Sequence, residues 1–386
     1  MKYKIPLGAW KPTETERANI GKVMDSGQLS YGCFSQKLEG MWSQYHNCKY
    51  GVLSNSGTSS LHVALLAMKE LYCWPDGAEV LVPAITFIAS VNAILHAGLK
   101  PVLCDVKIHG MIDPDEIAAK TTENTKCLML CHLWGVPHPE KRKILEVCAP
   151  GNLKIIEDSC ETVSREVGNW GDVSCFSMYM SHIVNAGVGG MACTNDSTLA
   201  DIMRSLVNHG THEKLLGVFP SFNRWSFIRQ GFSYRITEFE AALATAQFED
   251  IDNTLKLREE RRDWLSNAFI FHGANKTAKL IGGLMMYAIV INEGSIKNTL
   301  MNFLDSCGIE VRNMMPITNQ AVIRDVFPEM RANTLENFPT AHKINNCGFY
   351  VPINLYMTES DCDFVAVKLA EGLKTCLVNV KLTLKN

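Results

Sequence analysis

The chain has little net charge of either sign. Its 37 lysines and arginines stand against 40 aspartates and glutamates, for a formal charge of −3 over 386 residues. No dense basic run is present to track a phosphate backbone, so nucleic acid is not an expected partner. No stretch offers the roughly 18 uninterrupted apolar residues of a membrane span. The opening MKYKIPLGAWKPTETER has neither an apolar core nor a small-residue cleavage site, and the expectation is a soluble cytoplasmic protein. Repeats, low-complexity tracts and glycine- or serine-rich linkers are missing too, which argues against loosely hinged modules.

Cysteine is plentiful, at 14 residues, but scattered through apolar segments of a long chain. That usage reads as reduced core thiols rather than a disulfide framework. The closest pair, Cys127 and Cys131 in KCLMLCHLWG, lies in a run that reads as a buried strand with no second pair nearby, so no metal site is expected.

Hydrophobic residues make up 47% of the chain, enough for one large core or for a large and a small lobe. YGVLSNSG, AEVLVPAITF, KPVLCDV, KCLMLCHLWG, KIIEDSC and GGMACTN read as short strands, several of them continuously apolar and separated by helical or loop stretches. This predicts an α/β fold with a mostly parallel central sheet and helices on both faces. RITEFEAALATAQFEDIDNTLKLREERRDWLSNAF reads as one long helix. After it, LMMYAIVI, IKNTLMNFLDSCG, IEVRN and ESDCDFVAVKLAEGL predict a smaller C-terminal α+β lobe. The expected boundaries are 1–250 and 251–386.

Several residues lie where open α/β sheets bind ligands, at strand ends. SNSGTSSLH places Gly57, Thr58, Ser59 and Ser60 between a strand and a helix start, where backbone amides, hydroxyls and the helix dipole suit a phosphate. A plain helix cap reads equally well. Glu157, Asp158 and Glu161 follow a strand in KIIEDSCET, and Phe87 follows another in PAITF. An N-cap aspartate and a core aromatic are the simpler readings of the last two. FSMYMSHIVNAGVGGM carries Ser177, His182 and the glycines 187, 189 and 190, which let a backbone pass close to a bound group.

Taken in order from SGQLSYG through SGTSSLHVAL, PAITFIASVNAILHAGLKPVLCDV, HLWGVP, EDSCET and GFSYRITEFEAALATAQ to CGIEVRN, these motifs resemble the DegT/DnrJ/EryC1/StrS family. These are sugar aminotransferases, pyridoxal phosphate (PLP) enzymes of fold type I. The resemblance implies that Thr58, Ser59 and Ser177, next to Gly57, hold the cofactor phosphate and that Phe87 stacks on the ring. It also implies that Asp158 pairs with the ring nitrogen, keeping it protonated as an electron sink. Glu161 belongs to the same cofactor site. Ser233 stands where the family usually has an asparagine reaching a phosphate across a dimer interface, so a homodimer with shared sites is expected.

The family motif then calls for the lysine that joins the cofactor covalently, and His182 takes its place. No lysine occurs between Lys154 and Lys214. The same replacement marks the family's sugar 3-dehydratases, and FSMYMSHIV with the glutamate of DSCE looks like the branch acting on GDP-4-keto-6-deoxy-mannose. The iron–sulfur cluster of a CDP-sugar branch is not expected, because Cys193 is followed by no cysteine until Cys307. Other departures are Val188 for a frequent acid and a short segment after EDSCE.

By resemblance, glutamate charges the cofactor to pyridoxamine phosphate (PMP), whose amine meets the C4 ketone of a nucleotide-linked 4-keto-6-deoxy sugar. His182, with an imidazole pKa near about 6.5, removes a proton and the C3 hydroxyl leaves. An aminotransferase with a non-lysine cycle and a catalytically silent cofactor-binding homologue are the alternatives. The nucleotide, the sugar and the amino donor depend on loops such as NHGTHEKLLGVFPSFNRWSF.

Overall fold

The computed structural model describes residues 3–211, 226–314, 316–326 and 337–383. Seven strands form the main sheet: β1 Tyr50–Ser54, β2 Glu79–Pro83, β3 Lys100–Cys104, β4 Thr125–Cys131, β5 Lys154–Asp158, β6 Val173–Ser177 and β7 Gly190–Thr194. Their order is β1-β7-β6-β5-β4-β2-β3. The pairs from β6 through β5, β4 and β2 to β3 are parallel, and β7 runs antiparallel to both β6 and β1. Every residue of β2, β6 and β7 is buried, the condition for a strand covered on both faces. The parallel direction of β1, β2, β4, β5 and β6 places the loops that follow them at one end of the sheet.

The expected α/β architecture is therefore present, with three differences. VSCFS forms β6, a central strand that no strand assignment from sequence had included. The long helix is two, Glu238–Glu249 and Ile251–Phe271. Asp250, at φ −109° and ψ 20°, leaves helical geometry between them, and its side chain accepts from Asn253. The smaller sheet has four strands: β8 Ala278–Gly282, β9 Met286–Ile291, β10 Arg312–Asn313 and β11 Gly348–Pro352. They are wholly antiparallel in the order β10-β11-β9-β8.

We propose to keep the lobe boundary at residue 250, where the helix breaks. The amino-terminal strap nonetheless crosses to the smaller lobe: Ile5 bridges Ile309 and the Pro6 carbonyl accepts from Asn354. Ten of the 14 cysteines are buried, as befits small apolar side chains. Among the described residues no helix is long and apolar enough to cross a membrane.

Candidate active site

The shared sheet end opens into a cavity of about 410 Å³. Gly57 and Thr58 begin the helix Gly57–Leu71, capped by Ser56, whose hydroxyl accepts the Ser59 N–H at 3.1 Å. The first amides of that helix lack carbonyl partners and point a partial positive charge at the cavity. Gly57 is required by space: a Cβ there would lie 2.6 Å from Cys160 Sγ and 2.7 Å from Ser177 Cβ. The backbone and the Ser177 hydroxyl thus close together into a cradle.

Asp158 ends β5 and is 8% exposed. Its Oδ2 accepts from Ser90 Oγ at 2.7 Å and its Oδ1 from the Cys160 N–H at 3.2 Å, which fixes the carboxylate plane. Phe87, the residue before the helix Ile88–His96, lines the same cavity and is 71% exposed. An aromatic that uncovered on a cavity wall is suited to stack on a flat ligand.

His182 lies beyond β6 on the cavity wall, and its main-chain N–H donates to the Tyr179 carbonyl. Its Nδ1 is sealed from solvent. Burial pushes the imidazole down to about 4; the Ser177 main chain pulls it up, and the Arg258 charge pushes it further down. The expectation of an unperturbed imidazole is corrected accordingly: this ring is neutral, the form that accepts a proton, well below neutral pH.

Glu161 accepts the Trp134 N–H at 3.0 Å. Burial pushes its carboxyl up to about 7, the Trp134 bond lowers it, and the Asp158 charge raises it.

Gly57, Thr58, Phe87, Asp158, Glu161, Ser177 and His182 are therefore brought together. Two expected residues are not. Ser59 Oγ donates to Asn55 at 2.7 Å and its N–H is taken by Ser56, so its donors are spent on the helix cap. Ser233 is exposed and accepts from Arg235 at 3.2 Å, away from its own chain's cavity. Of the loop NHGTHEKLLGVFPSFNRWSF, residues 212–225 lie outside the described residues.

The cavity also draws on residues that sequence reasoning passed over, among them Thr86, His132, Tyr179, Arg312 and Tyr350. Arg312 and Tyr350 come from the smaller sheet, although Arg312 stands inside the quoted IEVRN. A cradle of unpaired amides and hydroxyls, an oriented carboxylate and an uncovered aromatic form a donor set that fits a flat ring bearing a phosphate.

Fold and site together define an α/β enzyme of aminotransferase architecture. The chain belongs to the DegT/DnrJ/EryC1/StrS aminotransferase family, whose profile matches residues 11–370. It is 31% identical over 385 residues to the GDP-perosamine synthase of Caulobacter vibrioides, covering 96% of this chain and 98% of that protein. Among solved structures, the Helicobacter pylori aminotransferase PseC, involved in the biosynthesis of pseudoaminic acid, superposes with a TM-score of 0.87 at 20% identity. The match covers 96% of this chain and 99% of that one. Escherichia coli GDP-4-keto-6-deoxy-D-mannose-3-dehydratase, solved with bound hydrated PLP, gives 0.85 at 20% identity over 95% of this chain and 99% of its own. Aminotransferase and dehydratase both occur, then, among the proteins this chain resembles.

Proposed function

We propose that the protein is a PLP- and PMP-dependent 3-dehydratase that removes the C3 hydroxyl of a GDP-linked 4-keto-6-deoxy sugar, with glutamate as amino donor. One observation carries the reading: the described lining of the cavity holds His182 and no lysine. An imidazole cannot hold the cofactor covalently as a lysine amine does, but it can move a proton. The guanosine nucleotide is supported by the names of the Caulobacter and Escherichia coli proteins.

With the cofactor bound, the helix-start amides, Thr58 and Ser177 would hold its phosphate, Phe87 would stack on its ring, and Asp158 would pair with the ring nitrogen. Bound there, the cofactor supplies an electron sink beside the substrate's C4. The His182 imidazole accepts the carbon-bound proton, and its lowered pKa keeps it free to do so at neutral pH. Ser233, exposed and outside its own cavity, supports a homodimer in which it serves a partner's site.

A second reading, amination at C4, is favoured by the similarity to GDP-perosamine synthase. Mass spectrometry of the product from GDP-4-keto-6-deoxy-mannose and glutamate separates the two. A 3-deoxy-4-keto sugar with free ammonia is the expected outcome. A 4-amino sugar assigns the second reading instead, and unchanged substrate assigns a silent homologue.

A further inference from the structure

A second chamber adjoins the cofactor cavity and shares only Ser181 and His182 with its wall. It encloses about 140 Å³. With on the order of 10–15 Å³ needed per water, that admits several waters or one small ion, and it is too small for a nucleotide sugar. The outer wall is the amino-terminal strap, laid across the His182 loop at Gly8, where a Cβ would sit 3.5 Å from both the Met180 carbonyl oxygen and Ser181 Cα. The smaller lobe pins the strap: the Glu310 carboxylate accepts the Leu7 N–H at 2.9 Å and the Tyr356 hydroxyl accepts the Lys11 N–H at 2.9 Å. The inner wall is the helix Ile251–Phe271, where Thr254 and Arg258, one turn apart, share the face that lines the chamber.

Arg258 is 6% exposed, and its charge has no counter-charge. Its Nη1 donates to the carbonyls of Leu284 and Ile353 at 2.8 and 3.1 Å, and its Nε is buried without a partner. Its Nη2 has no acceptor among the described residues and is not sealed off, so it opens on the chamber that Arg258 lines. No carboxylate among those residues comes within ion-pairing distance. The two acids on the chamber wall are committed elsewhere. Glu16 accepts the Thr13 N–H at 2.6 Å on one oxygen and, on the other, Trp10 Nε1 at 3.1 Å and Gln247 Nε2 at 2.8 Å. Asp250 accepts from Asn253 at 3.0 Å and is exposed. The charge that acts on Arg258 from its own helix is another cation, Arg261, whose Nε is also buried without a partner. Burial and that neighbour push the Arg258 guanidinium down to about 10. A cation so enclosed is costly unless a counter-charge meets it.

We propose that this chamber binds a small monovalent anion, a halide or a one-carbon carboxylate, seated against the Arg258 guanidinium. Neither the dehydratase nor the aminotransferase reading is needed for it. The guanidinium offers planar, permanently charged donors, and Thr254 adds a hydroxyl to the same helix face. Lys11, exposed on the strap and without an ion pair among the described residues, lines the chamber with a second positive charge. The charge of the ligand is limited by Glu16. Burial alone would raise the pKa of that carboxyl, but its hydrogen bonds outweigh burial and keep it ionised. A carboxylate on the same wall disfavours a second negative charge on the ligand, which selects against phosphate and sulfate. The Arg258 charge also acts on the His182 imidazole. An anion in the chamber therefore reaches that residue electrostatically without touching cofactor or substrate.

The test adds bromide to the PLP-loaded holoenzyme, whose phosphate cradle is then already filled. Bromide replaces a bulky organic sulfonate at constant ionic strength, so general screening is unchanged. Thermal unfolding should show a saturating rise in Tm of about 1–3 °C in the wild type. Arg258→Met, which keeps an apolar stem but no charge, should show none. Repeating the exchange with formate separates the two sources of the charge: a rise with bromide alone marks a halide site, and a rise with formate alone marks a carboxylate site. A rise with neither, or an equal rise in Arg258→Met, overturns the proposal. If Arg258→Met does not fold, crystals of the wild-type holoenzyme soaked in bromide and in formate decide. An anion in the chamber against Arg258, seen for bromide by its anomalous scattering, is the expected result, and anions confined to the outer surface overturn the assignment.

Discussion

His182 and Glu161 line one cavity and are shifted in opposite directions by the same cause. Burial drives the imidazole down to about 4 and the carboxyl up to about 7, so between those values both are uncharged.

The first expected outcome is a kcat/KM for dehydration that falls on the acid side as His182, pushed down to about 4, takes up a proton. Steady-state kinetics across pH 4–9 on the wild type check it, and a profile that holds level from pH 7 down to 4 would contradict the role of the imidazole.

Stability of the cofactor-free protein should fall as pH drops from about 6.5 towards 4. His46, His109, His138 and His182 are all pushed down to about 4 by burial. In that window the unfolded chain binds more protons than the folded one, so stability rises with pH and is lost on acidification. Each group contributes at most about 3 kcal/mol, and less where solvent reaches the ring. Urea denaturation at a series of pH values tests this, and a midpoint unchanged between pH 7 and 5 would count against it.

Space at Gly57 makes a third prediction. In Gly57→Ala the new methyl meets Cys160 Sγ and Ser177 Cβ, neither of them the end of a long flexible side chain. Ser177 must move, weakening the phosphate grip. The expected cost is about 1–3 kcal/mol of stability, with PLP affinity reduced by about tenfold or more, since 1.4 kcal/mol is a factor of ten. Thermal unfolding and a fluorescence titration with PLP read the two effects, and wild-type affinity in the variant would show that the cradle is not the phosphate site.

Much of this site can be read along the chain because its parts sit directly after short apolar strands. Asp158 closes β5, Phe87 follows β2 by four residues, and Gly57 and Thr58 follow β1. Other parts escape for physical reasons. Arg312 and Tyr350 reach the cavity only when the smaller sheet packs against the larger, a tertiary event with no local signal. The helix break at Asp250 is hard to read because the apolar spacing continues across it, from Ala246 and Phe248 to Ile251 and Leu255. Ser59 looks like a phosphate ligand until its hydroxyl is seen to be spent on Asn55. The neutrality of His182 follows from burial, which spacing does not reveal.

The loop carrying His182 exposes Tyr179, Met180 and Val188 at 54, 56 and 51%, alongside Phe87 at the cavity. Apolar groups clustered at a site mouth ask for cover. Light scattering should therefore find a homodimer. Mixing Ser233→Glu with an inactive His182→Asn chain should restore some activity if Ser233 serves the partner's site. A fully active monomer would remove the basis for shared sites.

The replacement at 182 makes the final prediction. His182→Asn keeps the size and polarity of the side chain but cannot take a proton at neutral pH. It should bind PLP as the wild type does, because the phosphate cradle, Asp158 and Phe87 are untouched, while dehydration drops by about 10²–10⁴-fold. Borohydride treatment of the wild-type holoenzyme should leave no cofactor on the peptide, since no lysine lines the described cavity. His182→Lys is the companion: a primary amine at that point of the wall can trap the cofactor's aldehyde, so borohydride should then fix it to the chain. Mass spectrometry of the treated peptides reads both outcomes. If the wild type is labelled on a lysine, or if His182→Asn dehydrates at the wild-type rate, the histidine is only a structural replacement. The base would then have to be sought elsewhere on the same cavity wall.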